Sequence, residues 1–192
     1  MRGFTLIEIL VVTTIIFLLV GVTAPIYQTS QRHFALQRSA SKLAQDIRRV
    51  QEMAMSARDF PEVGGTISKG GYGVYFNIGS PEEYILFTDC NQNHAYDTGN
   101  WPAGSCVSST GANIYPEKFG NNVKFEKQVK IDNLSPLGGD NSLHITFTPP
   151  DPTTWVRYDG NISTSTPAAI TLRAGNTTAN VKVLSTGLIF VE

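Results

Sequence analysis

The sequence is poor in charge, and this shortage limits what the protein can bind through its overall electrostatics. Charged residues make up 16% of the 192 positions and the net charge is −1, whereas soluble domains usually carry about 25% charged residues. The totals therefore imply neither a strongly basic nor a strongly acidic partner, and any electrostatic signal must be local. The length suits one ordinary domain with an appendage.

Catalytic signatures are also missing. The sequence contains no GxSxG, HExxH, P-loop or dinucleotide-binding fingerprint, and no paired-carboxylate arrangement stands out. Its three histidines, His33, His94 and His144, are scattered along the chain. We therefore predict that the protein is not an enzyme.

The most prominent feature present is an apolar run over residues 4–24. As a helix these 21 residues would extend about 31 Å, close to the roughly 30 Å of a bilayer core. The run contains Glu8, and a carboxylate at that depth costs about 2.5 to 3.5 kcal/mol unless a partner compensates. A cleaved secretory signal is the alternative, but Glu8 and the position of Pro25 after the candidate cleavage site disfavour it.

The stretch R-G-F-T-L-I-E-I-L-V-V, followed by Pro25, resembles the amino-terminal signature of type IV pilins and type II secretion pseudopilins. The resemblance implies that a prepilin peptidase cuts between Gly3 and Phe4 and methylates the new amino terminus on Phe4. Glu8 is then the fifth mature residue. Cleavage would create an ammonium group that pairs with Glu8, either between neighbouring subunits or within one chain.

A second helical pattern follows the apolar run. Apolar residues recur at steps of four and three along one face, at Leu36, Ala40, Leu43, Ile47, Val50, Ala54 and Ala57. Pro25 predicts a kink or break near residues 21–25. We expect the helix to end at Arg58, Asp59 and the Phe60-Pro61 pair.

The polar face of this helix is basic. It carries only two acidic residues, Asp46 and Glu52, against five basic ones: Arg32, Arg38, Lys42, Arg48 and Arg49. DNA phosphates are one hypothesis for Arg38, Lys42, Arg48 and Arg49. A solvated face or a contact between subunits is favoured, because no aromatic residues alternate with the basic ones.

From residue 71 onward the apolar period shortens towards two, which predicts strands. The predicted strands cover residues 71–78, 82–89, 122–131, 142–149, 168–174 and 180–192. Turns are predicted at Gly79-Ser80-Pro81, Asp159-Gly160-Asn161 and Gly175-Asn176. We expect a meandering antiparallel sheet, and the pattern resembles the globular domain of H-type pseudopilins and FimT-like minor pilins.

The two cysteines, Cys90 and Cys106, flank a polar insertion. If the domain lies outside the cytoplasmic membrane, a disulfide between them is the expected state. Closing a loop of this length would contribute roughly 3 kcal/mol. Zinc is a poor competitor, because two cysteines supply half of its usual ligands and no histidine has a matching spacing.

The same insertion carries oxygen ligands at alternating positions. Asp89, Asn91, Asn93 and Asp97 resemble the start of an EF-hand loop. His94 stands where that loop needs glycine, and Asn100 stands where a bidentate glutamate would close the calcium shell. Alternating Asn and Asp are also ordinary turn formers, so calcium and a plain turn both stay open.

These features predict an α+β, pilin-like fold: a long amino-terminal α-helix, transmembrane in its first half, packed on an antiparallel β-sheet. The predicted parts are a leader (1–3), a transmembrane and assembly segment (4–24), an amphipathic continuation (25–59) and a β-rich globular domain (60–192). The predicted function is a structural subunit of a type IV pilus or type II secretion filament. Its partners would be other pilin subunits and the prepilin peptidase, and no cofactor is expected unless calcium binds.

The predicted location is the cytoplasmic membrane of a bacterium, as a single-pass protein before assembly, and then an extracellular or periplasmic filament. The alternative is a low-abundance, membrane-tethered binding subunit that engages DNA, a secreted protein or a surface ligand.

Overall fold

In the part of the chain that the structure describes, the regular elements are one long helix and ten strands. The computed structural model describes residues 3, 5–56, 71–97, 117, 121–137, 139, 141–149 and 153–192. The elements are α1 Leu6–Met55, β1 Tyr72–Asn77, β2 Glu83–Thr88, β3 Val123–Lys124, β4 Lys130–Ser135, β5 Ser142–Thr148, β6 Thr153–Tyr158, β7 Asn161–Ser163, β8 Ala168–Ala174, β9 Thr177–Val183 and β10 Ile189–Val191.

Helix α1 begins with a side-chain cap. Thr5 is extended, and its hydroxyl oxygen accepts a hydrogen bond from the backbone N–H of Glu8 at 3.3 Å. A threonine followed three residues later by glutamate is a capping-box pattern. An acidic residue in the first turn also stabilises the helix, because its negative charge interacts favourably with the positive end of the helix dipole. The helix is continuous across residues 21–25, so the predicted break there is wrong, and it ends at Met55 before the cap Ser56.

The strands form two antiparallel sheets. The six-stranded sheet has the order β3-β2-β1-β5-β6-β7, and the four-stranded sheet has the order β10-β9-β8-β4. All three predicted turns join neighbouring antiparallel strands, namely β1 to β2, β6 to β7 and β8 to β9. Asp159 and Gly160 both have positive φ, at 48° and 72°, which is the backbone that a tight two-residue hairpin requires.

The core lies between the second half of α1 and both sheets. Helix residues at steps of three and four are fully buried: Leu36, Ala40, Leu43, Ile47, Val50 and Ala54. They pack in one cluster with β1 and β5 of the larger sheet and with β8, β9 and β10 of the smaller one. Alanine at two of these six positions, Ala40 and Ala54, lets the helix backbone approach the sheets closely.

The predicted fold class is wrong. It placed a helix with a transmembrane first half on a single antiparallel sheet, whereas about 37% of the described residues are in strands and these strands form two antiparallel sheets. The division arises between β3 and β4, where the sequence pattern predicted one strand over residues 122–131. Gln128 has a left-handed φ of 74° and Val129 N–H closes a turn onto the Glu126 carbonyl, so the chain leaves the first sheet and enters the second.

The predicted membrane span is also not found. Within the residues that the structure describes, no helix combines the length and the apolar character needed to cross a membrane. This finding overturns the predicted single-pass location in the cytoplasmic membrane and the transmembrane assignment of residues 4–24.

Two further strand predictions need correction. The predicted strand over residues 180–192 is two strands, β9 and β10, because Gly187 adopts a φ of 82° and donates its N–H to the Leu184 carbonyl in a turn. Strands β6 and β7 were not predicted, although β6 carries the β-branched and aromatic sequence TTWVRY that favours a strand.

Gly73 provides a test of how closely the larger sheet is packed. A Cβ atom at this position would lie 2.5 Å from Cζ of Phe87 and 2.8 Å from the Ile145 carbonyl oxygen. We expect Gly73→Ala to lower the free energy of unfolding by about 1 to 3 kcal/mol, because neither strand can move away without disturbing its neighbours. Chemical denaturation of the purified protein measures this change.

Gly139→Ala is the matched control for that substitution. The nearest atom to an added Cβ there is Asp159 Oδ1, at 3.4 Å, so its effect should be small. Equal stability of the two variants would contradict the packing described for β1.

Candidate functional site

The segment 89–97, which follows β2, packs on the outer face of the six-stranded sheet, opposite α1. Tyr96 contacts the rings of Tyr75 and Phe87, with centroids 5.1 and 5.8 Å apart. His94 stacks on Trp155 with a centroid distance of 4.3 Å and an interplanar angle of 11°. We call this segment the clamp loop, since aromatic contacts hold it against the sheet at two points.

Two hydrogen bonds fix the clamp loop to the strands beneath it. The Tyr96 backbone N–H donates to Nδ1 of His144 at 2.9 Å, and the Arg157 Nη1 donates to the Asn93 carbonyl at 2.6 Å. His144 is buried and its Nε2 lies 3.3 Å from the Ser142 hydroxyl. Accepting a bond at Nδ1 requires the imidazole of His144 to be neutral there.

Asp89 organises the turn inside the clamp loop. Its carboxylate is fully buried and accepts the backbone N–H groups of Asn93 at 3.1 Å and His94 at 2.9 Å. Gln92 and His94 have left-handed φ values of 62° and 58°, which non-glycine residues adopt when local hydrogen bonds support them. His94 therefore adopts the left-handed backbone at the position where an EF-hand loop has glycine.

Glu117 joins the clamp loop from a distant part of the chain. Its side chain is fully buried, and its carboxylate accepts the backbone N–H of Cys90 at 2.9 Å and of Asp97 at 3.0 Å. Glu117 thus holds both ends of the loop. Sequence reasoning missed this residue, because no local pattern indicates that position 117 returns to residues 90 and 97.

The two buried carboxyl groups have altered acidity. Burial raises the pKa of Glu117 to about 8, although the N–H donors of Cys90 and Asp97 oppose the rise. Burial raises the pKa of Asp89 to about 6, against the N–H donors of His94, Asn93 and Gln92. Repulsion from Asp89 and Asp97 adds a smaller rise to the pKa of Glu117, and repulsion from Asp97 adds a smaller rise to the pKa of Asp89.

The predicted calcium ligands come together here. Asp97 accepts the side-chain N–H groups of Asn91 at 2.7 Å and Asn93 at 2.6 Å, and Glu117 adds a third carboxylate. The asparagine oxygens accept backbone N–H groups within the loop, as in ordinary Asx turns. No group of three or more acidic, histidine or cysteine side chains in the described residues is arranged to hold a metal, so calcium stays a prediction.

Cys90 is buried and forms a disulfide bond. The sequence contains one other cysteine, Cys106, which lies outside the described residues, as does Asn100. Cys90 sits beside Asp89 at the start of the clamp loop, so the disulfide restrains the same turn that Asp89 and Glu117 hold.

The basic helix face is largely occupied by contacts within the chain. Arg38 forms a two-point ion pair with Glu126, both bonds 2.7 Å long, and Glu126 holds the pKa of the Arg38 guanidinium above its usual range. Arg48 donates to the Ile189 carbonyl at 2.8 Å, and Arg32 donates to the Gln128 amide oxygen at 3.0 Å. These arginines join α1 to β10 and to the connection between β3 and β4, which gives them a structural role independent of DNA. Lys42 and Arg49 lie on the same helix.

The residues implicated in processing and assembly are at the start of the chain. Gly3 is exposed, Phe4 lies outside the described residues, Glu8 is exposed in the first turn of α1, and Pro25 lies within α1. Glu8 is far along the chain from the clamp loop, and the structure does not bring the two regions into contact among the described residues.

The buried carboxyl groups predict an unusual pH dependence. A carboxyl group with a raised pKa in the folded state binds more protons when folded, so stability falls as pH rises. In calcium-free buffer the free energy of unfolding should fall from about pH 4.5 to about pH 8, by on the order of 2 to 4 kcal/mol. Denaturant titrations across this range measure the slope.

Glu117→Gln should flatten that slope, whereas Glu82→Gln, at an exposed position, should leave it unchanged. An identical slope in the Glu117 variant would contradict the assignment. Repeating the titration with millimolar calcium tests the metal prediction: a bound cation would favour the ionised carboxylates and remove the slope, and an unaffected slope would contradict calcium binding.

No family model, no curated protein and no solved structure matches this chain. The resemblance of residues 2–12 to the pilin signature therefore rests on those residues alone.

Proposed function

We propose that this protein is a structural subunit of a filament of the type IV pilin or type II secretion pseudopilin kind, in which copies associate through the first half of α1. The observation that carries the proposal is the contrast between the two halves of this helix. Residues 6–22 are exposed throughout, whereas the apolar face of residues 35–54 is buried in the core.

The exposed half presents far more apolar surface than a free monomer usually shows. Its aliphatic and aromatic side chains are exposed by 49% to 82%, with Leu6 at 82% and Phe17 at 77%. Contiguous apolar patches of this kind mark association surfaces. Burying a single Leu, Ile or Phe side chain contributes about 1.5 to 3 kcal/mol, so several such contacts would hold two subunits together.

The threonine hydroxyl groups of this segment are satisfied within the helix, which leaves its sides suited to packing. The hydroxyl groups of Thr13 and Thr14 both donate to the Leu10 carbonyl, at 3.0 and 2.8 Å. Threonine hydroxyls bonded in this way carry little cost when a neighbouring helix covers them. Residues 6–22 therefore form a mainly apolar rod with one ionisable side chain, that of Glu8.

Glu8 has two roles that must be separated. It stands three residues after Thr5 in a capping-box pattern, and a neutral glutamine serves that role as well as glutamate does. The resemblance to pilins adds a second role, an ion pair with the amino group of Phe4 in another subunit. Only the second role needs the negative charge.

Replacing Glu8 distinguishes these roles. Glu8→Gln keeps the cap and removes the charge, and we expect it to lower filament yield about tenfold or more, because an unpaired ammonium group would be left in an apolar interface. Glu8→Ala should assemble no better. Yield is measured by shearing filaments from cells and quantifying the released protein, with total cellular protein as the reference.

Glu52→Gln is the matched control, since Glu52 is exposed on the same helix outside residues 6–22. Wild-type yield from Glu8→Gln would reject the ion pair and leave capping as the role of Glu8. Loss of yield in both glutamine variants would show a general effect of charge on the helix instead.

A further inference from the structure

A cavity of about 320 Å³ lies beside the clamp loop at the edge of the outer sheet face. Strands β1 and β2, the turn between them, Tyr96 and Asn122 line it. Six polar or aromatic side chains matter for its chemistry: Tyr75, Asn77, Ser80, Glu83, Tyr96 and Asn122. Its volume is at the lower end of the roughly 300 to 1,000 Å³ typical of small-molecule sites.

The aromatic wall is held in place before any ligand arrives. The rings of Tyr75 and Tyr96 are 5.1 Å apart and inclined by 38°. The Asn77 side-chain N–H donates to the Tyr75 hydroxyl at 2.8 Å, and the Asn77 amide oxygen accepts the Gly79 N–H at 2.6 Å. Two bonds on one asparagine therefore fix the orientation of the Tyr75 ring.

The opposite wall is equally ordered. The Asn122 side-chain N–H donates to Oε1 of Glu83 at 2.7 Å. Ile85, which pairs with Tyr75 across the two strands, gives the cavity an apolar floor. Preorganised groups lose little conformational entropy on binding, which is the condition for affinity in a small site.

The lining chemistry selects one class of ligand. None of the described residues that line the cavity carries a positive charge, and the carboxylate of Glu83 would repel an anion. The other polar groups are neutral hydroxyls and amides, which donate and accept hydrogen bonds with hydroxyl groups. An aromatic face beside such groups suits a molecule with one C–H face and a polar edge.

We propose that this cavity binds one neutral pyranose sugar unit, with its C–H face on the two tyrosine rings and its hydroxyl groups bonded to Glu83, the amides and Ser80. A small organic cation is the competing class, because rings and a carboxylate also attract it. The neutral groups outnumber the one charge, which favours the sugar. This inference does not depend on filament assembly.

Binding is tested with the purified full-length protein and the methyl glycosides of glucose, galactose, mannose and N-acetylglucosamine. Saturation-transfer NMR and calorimetric titration should show saturable millimolar binding of at least one glycoside. Methylammonium serves as the cation probe and should not displace the sugar. No saturable binding of any glycoside, or displacement by methylammonium, would overturn the proposal.

Substitutions of the adjacent residues Glu82 and Glu83 test the location of the site. Glu83→Gln keeps an oxygen that can accept the Asn122 N–H and removes the charge, and it should weaken glycoside binding about tenfold. Glu82→Gln changes the neighbouring, exposed residue, which does not line the cavity, and should have no effect. Equal binding by both variants would overturn the location.

Ser80→Ala is a second test variant that we expect to fold normally. Ser80 is exposed and its backbone groups, which bond to Asn77 and Glu83, are unchanged by the substitution. We expect about threefold weaker binding with an unchanged thermal midpoint, in line with the loss of one neutral hydrogen bond. Unaltered affinity in both Ser80→Ala and Glu83→Gln would remove the sugar from this cavity.

Discussion

The structure depends on one constraint: a helix of 50 residues carries apolar surface along its whole length, and the chain supplies a partner for only part of it. From Ala35 to Ala54 the apolar face is covered by two sheets, and most of its buried positions are leucine, isoleucine, valine or alanine with exposures of 0% to 2%. Over residues 6–22 nothing in the described part of the chain covers the helix. Because the hydrophobic effect scales with exposed apolar area, covering this half would be favourable, and the proposed filament covers it with a second copy of the same helix.

The globular part rests on a second, polar constraint. The clamp loop has few apolar residues, so its backbone N–H groups must find acceptors on buried carboxylates. Asp89 and Glu117 provide them, and burial raises the pKa of both groups. Aromatic contacts of Tyr96 and His94 with the outer sheet face then fix the loop. This arrangement explains why the sheet can be covered on both sides, by α1 on one face and by a polar loop on the other, and why a preformed cavity remains where Tyr96 meets Tyr75.

Local features were predictable from the sequence, and long-range pairing was not. The apolar stripe over Leu36 to Ala54 and the Asp159-Gly160 turn follow from short-range periodicity and turn chemistry, and both are present. The division into two sheets was missed, because residues 122–131 read as one strand and only their pairing partners separate β3 from β4. Glu117 and the ion pair between Arg38 and Glu126 were missed for the same reason, since each joins residues at least 20 positions apart. The predicted membrane span and single sheet were wrong, whereas the processing residues Gly3 and Phe4 stay predictions.

Cross-linking through residues 6–22 tests the central claim most directly. Ile16, 53% exposed, is replaced by cysteine in the full-length chain, and Leu188→Cys, exposed in the turn between β9 and β10, provides a comparison on the globular part. The disulfide of Cys90 keeps that native thiol out of the reaction. If the first half of α1 is the surface on which copies meet, oxidation of assembled material should join the Ile16→Cys chains into covalent dimers. The account would be contradicted if the Ile16→Cys variant kept free thiols under conditions in which the Leu188→Cys variant formed covalent dimers.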